Sequence, residues 1–245
     1  MGLYGLIFGS FFGVVGTRVP RGESIVTPPS HCLTCGHKLT PFELIPVLSW
    51  FLQKGRCRRC GTHVSIFYPI VEVMTGILFC ITWMQMGLVP EFFISIFASS
   101  VFIVLSIIDY ESYRLPNIIV MPSTLALLLA RFFIHPLGFF SYISGALIGF
   151  LLIYAIIIFS KGGMGFGDAK LFLFVGFYVG FSQTIFTLVL ASLLGALMGV
   201  LFMIMGRLQK RAVIPFGPFI GLSAIVVHLY GTPFITWYMK LIILH

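Results

Sequence analysis

Two groups of residues in this 245-residue chain have the types and spacing for chemistry. The first is Cys32-x-x-Cys35 with Cys57-x-x-Cys60, two short pairs separated by 21 residues, each followed by a glycine (Gly36, Gly61). Thiolate pairs at this spacing suit a tetrahedral Zn²⁺ site of the ribbon type. The glycine permits the tight turn that points backbone amides at sulfur. Lys38, Arg56, Arg58 and Arg59 flank the pairs and would offset the negative charge of a four-thiolate zinc centre. Disulfides are the competing reading, which a reducing cytoplasm disfavours. His31, His37 and His63 could replace a ligand but read as surface histidines, and Cys80, inside an apolar run, reads as a small buried hydrophobe. A closed four-sulfur site is structural, because catalytic zinc keeps an open position.

The second group is Asp109 and Asp168. Ser106-Ile-Ile-Asp109 closes one apolar run, while Asp168 follows Gly163-Met-Gly165-Phe-Gly167 and opens another. With Glu72 they are the three acids read as lying within or against apolar spans, where charge is expensive and marks function. Two neighbouring carboxyl groups can activate water, one as base and the other, protonated, as acid. The helix ends would bias Asp168 toward the ionised form and Asp109 toward the protonated one. Ordinary roles also fit: a helix N-cap for Asp168, and a solvated ion pair with Arg114 for Asp109. Glycines 163, 165 and 167 fit a loop that lets a peptide backbone come close. Lys170 and Glu72 are candidate supporting groups.

The elements that must position these residues are membrane spans. The chain is 59% hydrophobic and 9% charged, against roughly 25% charged residues in a soluble domain. A soluble globular enzyme and a disordered chain are both excluded. Apolar runs fall at 2–16, 66–89, 92–108, 118–134, 139–159, 171–181, 185–205 and 213–230. The sixth is short enough to begin earlier or to extend into the seventh, and an apolar tail at 233–244 suits the interface. The expectation is an all-α polytopic membrane helical bundle of about eight transmembrane helices with a cytoplasmic zinc-binding loop. It divides into a first transmembrane helix (1–17), the loop (18–65) and a multi-span helical core (66–245). The first run lacks a basic start and a small-residue cleavage motif, so it reads as a retained span.

Orientation follows from the basic residues. With the amino terminus outside and spans alternating, thirteen of the fifteen Lys and Arg lie inside, and only Arg131 and Lys240 lie outside. The net charge of +8 therefore reads as topology, and no nucleic-acid partner is expected. The loop carries seven basic and two acidic residues (Glu23, Glu43), a net +5, assigned to orientation, anionic headgroups and the zinc centre. Both aspartates then reach the cytoplasmic membrane face. A proton- or metal-coupled transporter is the alternative use of such a pair, although transporter sites lie nearer the midplane.

The ordered set of motifs resembles the prepilin peptidase family, also called type IV leader peptidases, including Gram-positive competence prepilin peptidases. It comprises Gly9-Ser-Phe, Arg18-Val-Pro20, Ser30-His-Cys-x-x-Cys35, Ile45-Pro-Val-Leu-Ser-Trp50 and Lys54-Gly-Arg-Cys-x-x-Cys60. Tyr68-Pro-Ile-Val-Glu72, Ile108-Asp109, Leu115-Pro-Asn117, Gly162-Gly-Met-Gly-Phe-Gly-Asp-Ala-Lys170 and Ile214-Pro-Phe-Gly-Pro218 follow. Two departures stand out: Gly13-Val-Val-Gly16, where the family often has Asn and an aromatic residue, and Asn117, where Asp is common. The resemblance implies that Asp109 and Asp168 are the catalytic pair of a membrane aspartic endopeptidase in the cell membrane. Its substrates would be prepilins or pseudopilins, cut just before their hydrophobic stem, and it carries the cysteine quartet over as a zinc site. It also implies N-methylation of the new amino terminus with S-adenosylmethionine. No glycine-rich nucleotide fingerprint marks a pocket for that cofactor, and the loop near Glu43 is the place suggested for it.

Overall fold

In hydrocarbon a chain must satisfy its backbone polar groups internally, and runs of this length and apolarity do so as helices. The computed structural model describes residues 1–160, 164–206 and 214–243, with 232–243 described as backbone. Lys161, Gly162, Gly163, Arg207, Lys210, Arg211, Val213 and Leu244 lie outside the described residues, as does the side chain of Lys240. The helices are α1 (Gly2–Arg18), α2 (Leu48–Leu52), α3 (Phe67–Met86), α4 (Pro90–Ser112), α5 (Asn117–Phe133), α6 (Phe139–Phe159), α7 (Phe166–Val179), α8 (Phe181–Ile204) and α9 (Gly217–Ile243). Among the described residues there is no strand, only two isolated bridges, His31 with Lys38 and Arg56 with His63.

Among the described residues, five helices are long and apolar enough to cross a membrane: α1 with its terminal turn, α3, α4, α6 and α8. α5 and the first part of α9 are shorter apolar helices. The sixth apolar run does begin early, as α7, and it stops at Gly180, whose φ of 84° separates it from α8. The apolar tail at 233–244 is not a separate element. α9 runs without interruption from Gly217 to Ile243 and takes that segment into one helix.

The chain forms two compact units, Met1–Leu88 and Val89–His245. In the first, α1 packs along α3 through a glycine face in which Gly5, Gly9, Gly13 and Gly16 are buried. An added Cβ at Gly9 would stand 2.7 Å from the Cα of Glu72. Small residues let the two backbones meet where lipid supplies no hydrophobic drive between helices. The polar loop is tied down locally. Arg18 donates from Nη1 to the carbonyls of Ser24 and Pro28, and Trp50 donates from Nε1 to the carbonyl of Val64.

In the second unit α7 is the central element, packed by α4, α5, α6, α8 and α9. It is apolar on all sides, the pattern of a helix enclosed by others, and Leu171, Phe172, Phe174, Val175 and Val179 are completely buried. Gly176 lies directly against the backbone of Gly145 and Ala146 on α6. α8 is the opposite case, with Val189, Leu193 and Leu197 mostly exposed, as for a helix facing lipid.

Candidate active site and metal centre

Asp109 lies in the last turn of α4, which ends at Tyr113 in a left-handed conformation with its N–H donating to the Asp109 carbonyl. Asp168 is the third residue of α7, whose N-cap is Gly165. Both are almost fully buried, and both line one cavity of about 780 Å³. Neither ordinary role holds. Asp168 is not the N-cap, a place taken by Gly165, and Asp109 accepts at Oδ2, 2.8 Å away, the backbone N–H of Gly217 rather than a guanidinium.

The cavity wall explains several motif residues. Lys170 lines it with Nζ 2.9 Å from Oδ1 of Asn117 and 4.9 Å from the centre of the Phe166 ring. That bond ties the second turn of α7 to the start of α5. Gly167 abuts Leu115, leaving 3.1 Å between an added Cβ and the Leu115 Cβ. The far wall is apolar or small, with Leu188, Ser192 and Gly195 from α8 and Phe216 and Phe219 flanking the start of α9. The cavity is within the usual size range of small-ligand pockets and joins two acids to an apolar lining. Glu72 plays a different part, accepting the Val47 N–H at 2.7 Å within the first unit. It holds a β-branched residue at φ 64°, a conformation that such residues rarely adopt.

Two features escaped the sequence reading. The Gly217 amide belongs to Ile214-Pro-Phe-Gly-Pro218, recognisable as a motif but not as a donor to Asp109. Glu91 and Arg131 form the other. Three acids were expected against the spans, but Glu91 sits in the first turn of α4 as a fourth. Arg131, counted among the residues of the outer side, is completely buried among the helices and paired with it through two 2.7 Å bonds. The signal was a lone arginine within an apolar run, which loop counting treats as a terminus.

The four cysteines come together. Their sulfurs all lie within 4.8 Å of one another, with Cys32–Cys60 at 3.7 Å and Cys35–Cys57 at 4.0 Å. Tetrahedral zinc with bonds of about 2.3 Å requires sulfur separations of about 3.8 Å, so the donor set fits. The pairs are matching knuckles. Cys32 donates its N–H to the His37 carbonyl and Cys57 to that of Thr62, while Gly36 (φ 69°) and Gly61 (φ 73°) donate back to Cys32 and Cys57. The Thr62 hydroxyl and amide pull the Cys60 thiol down to about 6, and the Cys35 and Thr34 amides lower Cys32. At Cys35 the His37 amide is outweighed by burial and the other three thiols, which push it up to about 11. Thiols this close oppose one another's ionisation, and a divalent cation lets all four become thiolates.

Residues 96–200 match the type IV leader peptidase family, and residues 3–86 match the bacterial peptidase A24 N-terminal domain. A prepilin leader peptidase/N-methyltransferase from Bacillus subtilis (strain 168) is 38% identical over 240 residues, covering 98% of this chain and 96% of the relative. The chain belongs to the type IV leader peptidase family. A protein of the same name from Myxococcus xanthus (strain DK1622) is 35% identical, covering 84% of this chain and 64% of its own. Another, from Pseudomonas putida, is 29% identical, covering 93% and 88%. No solved structure matches the chain. The type IV leader peptidase described here is thus an all-helical integral membrane protein whose two family segments fall in separate units.

Proposed function

We propose that this peptidase is an aspartic endopeptidase that removes the leader of prepilin-like proteins at the cytoplasmic membrane face, with Asp109 and Asp168 as its catalytic pair. The observation that carries the reading is that two carboxyl groups from different helices line one cavity, nearly excluded from solvent elsewhere. An amide at 2.8 Å is a good partner for a carboxylate, so Asp109 is the better-placed anion. This reverses the bias expected from the helix ends, because a direct hydrogen bond outweighs a diffuse helix dipole. Asp109 takes a proton from water as the oxygen attacks the scissile carbonyl, and Asp168 donates its proton to the carbonyl oxygen. Collapse of the tetrahedral intermediate then breaks the C–N bond as Asp109 passes its proton to the leaving amine and Asp168 takes one back from a hydroxyl of the intermediate. Both carboxyl groups end in a state from which the cycle repeats.

The remaining features support a consistent placement. Eight crossings with the amino terminus outside would use α1 and α3 to α9, and the crowding of basic residues on one side of that arrangement supports the orientation. The four cysteines would hold a structural zinc that fixes the loop. S-adenosylmethionine, when bound, supplies a methyl group to the new terminal amine. Glu43 suits its cationic centre: the residue is buried, its Oε2 is engaged by Thr40 and His37, and Oε1 has no partner. Cleavage of a prepilin-like substrate in lipid by wild type, Asp109→Asn and Asp168→Asn tests the central claim. Both variants should lose cleavage with unchanged folding, and retained cleavage in either overturns the dyad.

A further inference from the structure

Away from the cavity, Arg131 spends all five N–H donors inside the protein. Nε donates to the carbonyl of Phe177 at 2.9 Å and Nη2 to that of Tyr178 at 2.6 Å. Nη1 and Nη2 each reach one Glu91 oxygen at 2.7 Å, and Nη1 also donates to the Ile134 carbonyl at 3.2 Å. The guanidinium is completely buried and lies 4.1 Å over the Tyr142 ring. His228 completes the surroundings, 3.6 Å from Glu91, hydrogen-bonded to Ser95, and stacked on Tyr178.

The placement of these bonds gives them a purpose. Phe177 and Tyr178 end α7, the helix that carries Asp168 in its first turn. Their carbonyls are among those a helix terminus leaves without an internal partner. Glu91 begins α4, the helix that carries Asp109 in its last turn. One side chain from α5 therefore holds the far ends of both helices that bear the aspartates. A slip of one residue along a helix axis is about 1.5 Å, whereas a hydrogen bond tolerates only a few tenths of an ångström. No neighbouring register keeps the bidentate pair and the two carbonyl bonds together.

We infer that Arg131 and Glu91 are positioning residues that fix the axial register of α4 against α7, and through it the separation of Asp109 and Asp168. The inference rests on the dyad proposed above. A pair of interacting carboxyl groups titrates in two steps whose spacing reflects their distance. A change in register therefore alters the shape of the pH–rate profile, whereas a simple loss of folded protein lowers its height alone.

The test uses the full-length protein in lipid with a prepilin-like substrate. Arg131→Gln and Glu91→Gln each leave a buried charge unpaired, so the informative form is the double variant, which is neutral and keeps amide side chains at both positions. Its folded fraction should stay near wild type, with kcat lower by about 10- to 100-fold, KM within about 3-fold and the two limbs of the pH profile displaced. Arg131→Lys, which keeps the charge but not the planar fork, should show the same displacement to a smaller degree. A double variant with wild-type kcat and profile, or one whose activity falls only with its folded fraction, overturns the inference. Asp109→Asn and Asp168→Asn run alongside separate the two ideas: retained cleavage there overturns the dyad and this inference with it.

Discussion

The backbone N–H of Gly217 donates to Oδ2 of Asp109 at 2.8 Å, joining residues 108 positions apart. The donor lies at the first turn of α9, where helix amides lack internal acceptors. α9 thus supplies to the site a backbone group that no side-chain substitution can remove directly. The same contact leaves no space: an added Cβ at Gly217 would stand 2.8 Å from Oδ2 and 3.2 Å from Cβ of Asp109.

Gly217→Ala should therefore displace either α9 or the Asp109 carboxylate. We expect leader cleavage to fall by about 10- to 100-fold, with an unfolding temperature close to wild type. A variant that cleaves at the wild-type rate would show that the Asp109–Gly217 contact is not used in catalysis.

Gly176→Ala places a methyl group into the backbone of Gly145 and Ala146. Neither backbone can yield as a flexible side chain would, so α6 and α7 must separate. Overpacking of this kind costs about 1–3 kcal/mol or more. The midpoint of thermal unfolding in detergent should drop by several degrees, at roughly 2–4 °C per kcal/mol for a chain of this size. An unchanged midpoint contradicts the close approach.

Removing zinc should loosen the loop without unfolding the helices. Hydrogen exchange should show the amides of Cys32, Gly36, Cys57 and Gly61 losing protection on chelation or in Cys57→Ser. Metal analysis of a preparation lacking all four cysteines should show zinc content falling, and equal content in the two preparations would refute the site.

Glu43 makes the loop sensitive to acid. The Thr40 amide and hydroxyl and His37 hold its carboxyl below the usual carboxylate range. Because the folded value lies below the unfolded one, the stabilisation is complete above the unfolded value of about 4.3. It is lost as pH falls through the lower, folded value. Glu43→Gln should flatten the acid limb of loop stability, followed by exchange at Thr40 and Glu43 against the wild type at each pH. Parallel curves for the two proteins would rule out this role.

Much of this was readable before any fold was in hand, for reasons that are local. The Cys-x-x-Cys-Gly pairs determine their own turns, so the knuckles at Cys32 and Cys57 follow from adjacent residues. Scarcity of charge did the same for Asp109 and Asp168, since an acid at the end of an apolar run stands out wherever the helices go. The tail at 233–244 reads as a separate run, yet α9 continues into it, because a break in apolarity at residues 231–233 does not require a break in the helix.

Other features depend on which helices meet, and no local pattern encodes that. Arg131 was only one charge in an orientation count until its five donors met Glu91 and the end of α7. Gly217 was one glycine among many until α9 brought its amide to Asp109. Residue type and spacing determine which groups can ionise, bind metal or turn the chain. Partners and distances come only from packing, which sums weak contacts over segments remote in sequence, and so the helix that serves each aspartate was decided by the tertiary structure.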